Sequence, residues 1–133
     1  MPAGNLIAPL RALIAGGVDF ILAGGVAGAL RRVPVSTLEI GVVPSMDVAN
    51  IERLRAVLES LDAVFRSQPE RRLKPTASHL AGSGPLAVVT RYGPLDVLGT
   101  IGLGLAYEEL LPQTVSMDIG GGTAVRVLDL ERQ

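Results

Sequence analysis

The sequence has no cysteine and no tryptophan, a single histidine, two tyrosines and two phenylalanines. Each shortage closes a route to function. Without cysteine there is no disulfide scaffold, no thiolate zinc site and no cysteine nucleophile. One histidine cannot build a histidine metal cage. With aromatics at 3%, the core has to be aliphatic. Charge of one sign is not in excess either: twelve basic against thirteen acidic residues leave a net charge of -1. That balance gives no electrostatic footprint for duplex nucleic acid or an anionic membrane surface. Disorder is excluded as well, because it needs low hydrophobicity and high net charge together. What is present is 48% apolar residues and sixteen glycines in 133 residues, the size of one domain. Any chemistry must therefore come from carboxylates, hydroxyls and glycine backbone.

The stretch Leu13 to Leu30 is nearly all apolar or glycine, and Gly24 and Gly28 have the small-xxx-small spacing of a membrane helix contact. Asp19 near its middle, and the breaks at Gly16-Gly17 and Gly24-Gly25, argue against a span. Met1 to Leu10 has no charged side chain to open a signal peptide. The stretch reads as a helix, a turn, a buried strand and a second turn. No membrane association and a cytoplasmic location are expected.

Along the chain, Leu6, Ile7, Leu10, Leu13 and Ile14 have helical spacing, and Gly16-Gly17 supplies a stop. Residues 18–23 read as a buried strand, 26–32 as two helical turns closed by Pro34, and 37–43 as a second strand ended by Pro44. Asp47 is the expected N-cap of a long helix with Ile51, Leu54, Leu58, Leu61 and Phe65 on one stripe. The polar segment 67–75, with Arg66, Arg71, Arg72 and Lys74 close together, reads as an exposed loop able to offer charge to a phosphate. Strands follow at 86–90 and 95–98, and a helix at 103–111 is stopped by Pro112. Residues 114–119 and 124–130 form a hairpin around Gly120-Gly121-Gly122. The last residues, 130–133, look like the start of a helix. The whole reads as a single domain, residues 1–133, of α/β or α+β class with a small mixed sheet.

Two features of this pattern can carry chemistry. Gly24-Gly25 falls where a strand turns into a helix, where backbone can approach a ligand closely and helix N–H groups face an anion. Glu39 and Asp96 each interrupt an apolar strand, and such a carboxylate must be solvated, paired or bound to a cation. Two on neighbouring strands could hold magnesium, which favours hard oxygen ligands. On spacing alone, a half-exposed sheet face explains them equally well.

The segments Phe20 to Ala27, Arg32 to Gly41 (with Thr37-Leu38-Glu39-Ile40-Gly41) and Gly93-Pro94-Leu95-Asp96-Val97-Leu98-Gly99 resemble the nucleotidyltransferase superfamily. Within it they are most similar to the small bacterial abortive-infection (AbiEii-type) and minimal nucleotidyltransferase groups. Tyr107 to Pro112 and Val125 to Leu130 also fit, so the likeness runs from about residue 5 to the C-terminus. The resemblance implies that Gly24 and Gly25 lie under a nucleoside triphosphate. It makes Glu39 and Asp96 the catalytic carboxylates that would hold magnesium. The chain departs from the family pattern at two positions: Glu39 stands where the first Asp is expected, and Gly41 where the second is. Gly41 offers no ligand, so the resemblance implies a retained fold with a degenerate catalytic centre. An active enzyme passing a nucleoside monophosphate to an unidentified acceptor, or the toxin of a toxin–antitoxin pair, are the alternatives. The aliphatic content also suggests a homodimer face.

Three smaller motifs are read structurally. Asp118-Ile119-Gly120-Gly121-Gly122-Thr123 is similar to the phosphate hairpin of the actin and sugar-kinase ATPases, but that fold needs two large lobes; a hairpin turn is expected. His79 has no evident acidic partner. Ser83, in Gly82-Ser83-Gly84, lacks the strand–turn–helix setting of a nucleophile elbow.

Overall fold

A computed structural model describes residues 7–23, 40–82, 85–100 and 104–128. Gly24, Gly25, Glu39, Ser83, the helix expected at 26–32 and the helix start expected at 130–133 lie outside the described residues.

The described chain forms α1 (Ala8–Ala15), β1 (Phe20–Ala23), β2 (Ile40–Pro44), α2 (Val48–Ser60), β3 (Val64–Phe65), α3 (Ala77–Leu80), β4 (Leu86–Thr90), β5 (Gly93–Val97), α4 (Tyr107–Leu110), β6 (Thr114–Gly120) and β7 (Thr123–Leu128). The strands make one seven-stranded sheet in the order β3-β4-β5-β2-β1-β7-β6. It is mixed: β2 runs antiparallel to β1 and parallel to β5, while β1 and β7 are parallel. The fold is therefore α+β with a mixed sheet, as composition and pattern led one to expect. No described helix is long and apolar enough to cross a membrane.

Strand alternation divides the core in two. Leu22, Val42, Leu95, Val97 and Val127 point to one face and pack with Leu10, Leu13, Ile51, Leu54 and Leu58. The intervening residues Ile21, Ala23, Val43 and Leu128 point to the other face, where Leu110 of α4 covers them. Both faces of β1 and β2 are thus buried, which is why these central strands read as continuous apolar runs.

Several boundaries differ from the sequence expectation, each for a local reason. The long helix ends at Ser60, since Asp62 takes a positive φ of 59° that no helix can continue through. Phe65 therefore leaves the helical stripe and pairs with Val88 as part of β3. Asp47 holds the N-cap position of α2, but its side chain caps nothing; its own N–H donates to Ser45 Oγ at 3.3 Å. The segment 67–75 includes a 3-10 turn at Pro69–Arg71. Among the described residues of the helix expected over 103–111, only Tyr107–Leu110 are α-helical, and the chain then tightens into a 3-10 turn, Leu111–Gln113, as Pro112 removes a donor. The short helix α3 was not expected. It is held by Thr76 Oγ1 accepting from His79 N–H, while His79 Nδ1 accepts from Thr76 N–H at 3.0 Å.

Candidate functional site

The register of the sheet aligns four positions in one row. Ala23 at the end of β1 lies opposite Gly41 of β2, Gly41 opposite Asp96 of β5, and Asp96 opposite Ala87 of β4. All four share the face that α4 covers further along β1. The row runs from buried (Ala23, Gly41) through half-buried Asp96 to exposed Ala87. Gly24-Gly25 follows the first member of the row directly in sequence.

At Gly41 the backbones of β1 and β2 approach closely. A β-carbon at this position would lie 3.2 Å from the Ala23 carbonyl oxygen and 3.6 Å from Leu98 Cδ1. Larger side chains would need Ala23 to give way, and none at position 41 would be well solvated.

Asp96 is ion-paired. Arg66, directly after β3, brings its Nη2 to 2.7 Å from Asp96 Oδ1. The same guanidinium donates from Nε and Nη2 to the Val88 carbonyl at 3.3 and 3.0 Å. Both side chains are about a third exposed or less, 33% for Arg66 and 26% for Asp96. The arginine is thus held from two sides in a geometry that charge-assisted bonds strengthen. Sequence reasoning grouped Arg66 with the basic loop; its neighbours in sequence, Ser67 and Gln68, are exposed, whereas Arg66 turns back over β4.

Magnesium does not fit the described residues of this row. Asp96 is its one carboxylate, Gly41 contributes no oxygen, and Asp96 already accepts from a guanidinium. No group of three or more acidic or histidine side chains converges anywhere among the described residues. Glu39, the other carboxylate expected at the site, lies outside them.

The remaining motifs resolve as structure. In the β6–β7 hairpin, Gly120, Gly121 and Gly122 all have positive φ, which the turn requires. Arg11 of α1 clasps it, donating to the carbonyls of Ile119 and Gly120 at 3.2 and 3.0 Å and to Thr123 Oγ1 at 3.2 Å. The Asp118 carboxylate accepts from Gly120 N–H at 2.7 Å and so closes the turn instead of facing a ligand. His79 caps α3 and meets Phe65 edge-on, with ring centroids 5.0 Å apart.

A separate cleft of about 280 Å³ opens at the other end of β1, lined in part by Asp19, Tyr107 and Arg126. Burial, and then the negative charge of Asp19, push the Tyr107 phenol above its ordinary range; Arg126 opposes the shift.

No family model matches this sequence, and no solved structure matches it. Among curated proteins, it is 30% identical over 119 residues to the bifunctional purine biosynthesis protein PurH of Paracoccus denitrificans. That alignment takes in 87% of this chain but only 21% of PurH, so the chain spans about a fifth of the relative's length.

Proposed function

We propose that this chain is a catalytically degenerate member of the nucleotidyltransferase superfamily, retaining at most the binding of a magnesium–nucleoside triphosphate. The observation that carries the reading is the pairing of Gly41 with Asp96. The sequence resemblance makes these the second and third carboxylate positions, and the register sets them side by side. Phosphoryl transfer depends on neutralising charge and aligning the nucleophile, not on covalent help from the protein. A centre lacking one of its three carboxylates at the middle of the row loses the bridge between two cations. Gly24 and Gly25 remain as the backbone on which a triphosphate would rest, with Glu39 as the further carboxylate. The active enzyme and the toxin have no structural observation in their favour. The partial likeness to a purine biosynthesis protein covers too little of that protein to transfer its activity.

Isothermal titration of the chain with each nucleoside triphosphate, with and without magnesium, tests the binding. Labelled triphosphate incubated with cell extract tests transfer. Weak binding without label transfer is the expected result. Transfer of label to any acceptor would overturn the degenerate reading, and absence of any nucleotide binding would remove the binding role.

A further inference from the structure

We infer that Arg66 is the resident cation of the row and keeps divalent metal off Asp96. The inference deepens the reading above by specifying how the carboxylate that survives there is neutralised. Three observations converge on it. The Arg66–Asp96 contact, at 2.7 Å, is short and charge-assisted. The guanidinium also donates from Nε and Nη2 to the Val88 carbonyl, a second anchor beside Asp96. Gly41, opposite Asp96, supplies no second carboxylate to outweigh a guanidinium in attracting a cation.

A half-buried carboxylate needs a counter-charge. In a row with several carboxylates a divalent ion can supply it; with one, a single guanidinium balances the charge one for one. A divalent ion coordinated by Asp96 would meet the fixed positive charge of Arg66 within a few ångströms, in a partly desolvated setting where like-charge repulsion is strong. To bind, the metal would first have to displace an arginine that retains its bonds to Val88. Magnesium accompanying a nucleotide would therefore stay on the phosphates and make no bond to Asp96.

The test uses manganese alone as probe, read by electron paramagnetic resonance, so it is independent of nucleotide binding. Wild type is expected to bind no manganese through Asp96: its titration matches that of Asp96→Asn. Arg66→Gln should gain weak manganese binding through Asp96, at least about tenfold above the wild-type background, and Arg66→Gln combined with Asp96→Asn should lose that gain. Wild-type binding that Asp96→Asn abolishes would overturn the inference, as would a folded Arg66→Gln that gains nothing. Should Arg66→Gln fail to fold, the Arg66 Nε–H resonance of wild type decides. An unchanged resonance in millimolar magnesium supports the inference; its loss or displacement overturns it. A nucleotide-binding failure with the expected manganese result would sink the functional reading and leave Arg66 in its role.

Discussion

Gly41 and Asp96 are register partners on adjacent parallel strands, and the first has no side chain where the second has a carboxylate held by Arg66. This asymmetry makes Gly41→Asp informative. A carboxylate there enters a buried position beside the Ala23 carbonyl, which cannot donate to it. The expected loss is about 3 kcal/mol of stability, against about 1 kcal/mol for Gly41→Ala, which meets only the close approach. Melting of Gly41→Asp should not respond to magnesium while Arg66 stays in place. Gly41→Asp with Arg66→Gln should melt higher when magnesium is added. Thermal denaturation of the variants, with and without the ion, checks both statements.

Arg11 ties α1 to the glycine hairpin through three bonds to exposed groups. Exposed bonds contribute little to global stability, yet they can hold a turn closed. Arg11→Ala should therefore speed amide hydrogen exchange at residues 118–123 while moving the urea midpoint by less than about 1 kcal/mol equivalent. Equal exchange in the two proteins would show that the turn closes without the arginine.

The sequence announced whatever depends on strand alternation and on turns. β4 fell at its expected residues, and the β6–β7 hairpin turned at its glycines, because both obey local rules. The row of Ala23, Gly41 and Asp96 was not legible, since period-two alternation fixes faces within one strand but not the order and register that align three strands. What escaped was set by partners distant in sequence. Val64 and Phe65 become a strand because Val88 and Val89 lie beside them, and helical spacing alone had extended α2 through Phe65. Arg66 looked like one of several loop cations; only folding brings Asp96, thirty residues on, to its guanidinium. Four-residue α3 is too short for periodicity to register, and its Thr76–His79 cap carries histidine where the usual sequence signature has Glu or Gln.

Asn50 is a polar side chain almost wholly buried, at 1% exposure, and every bond it makes is to backbone or a neighbouring guanidinium. Its Oδ1 accepts from Asp19 N–H at 2.8 Å, and its Nδ2 donates to the carbonyls of Asp19 and Ser45 at 3.0 and 2.8 Å. One side chain thus fastens α2 to the ends of β1 and β2. Asn50→Ala should lower stability by about 3 kcal/mol, because backbone groups lose their partners inside the protein. Asn50→Asp keeps the acceptor but turns a carboxylate toward two carbonyls, so it should not rescue. Urea denaturation of both variants measures the effect; a loss below about 1 kcal/mol for Asn50→Ala would mean that water replaces the amide.

Gly16 closes α1 with ordinary negative φ, so backbone conformation does not demand glycine there. Space does: a β-carbon would run into Val57 Cγ2 of α2. Gly16→Ala should cost about 1 kcal/mol through overpacking, in spite of the entropy that alanine removes from the unfolded chain. In a Val57→Ala background the same change should become neutral or stabilising, since the obstructing methyl is gone. The coupling between the two substitutions in a double-mutant cycle is the measured quantity. Additive effects would rule out the steric explanation.

Tyr107 places its phenol in the cleft with Asp19 and Arg126, and its folded pKa is raised, first by burial and then by Asp19. The unfolded chain releases this proton at the ordinary value near 10, so the unfolded state binds fewer protons than the native state just above that pH. Stability from this group is therefore complete below about pH 10 and falls as pH rises through the folded pKa. Tyr107→Phe should flatten that alkaline decline while leaving the profile at neutral pH unchanged in shape. Asp19→Asn removes part of the upward push and should weaken the decline without abolishing it, because burial remains. Denaturant midpoints followed from neutral to alkaline pH separate the three proteins; identical slopes for wild type and Tyr107→Phe would place the alkaline sensitivity on another group.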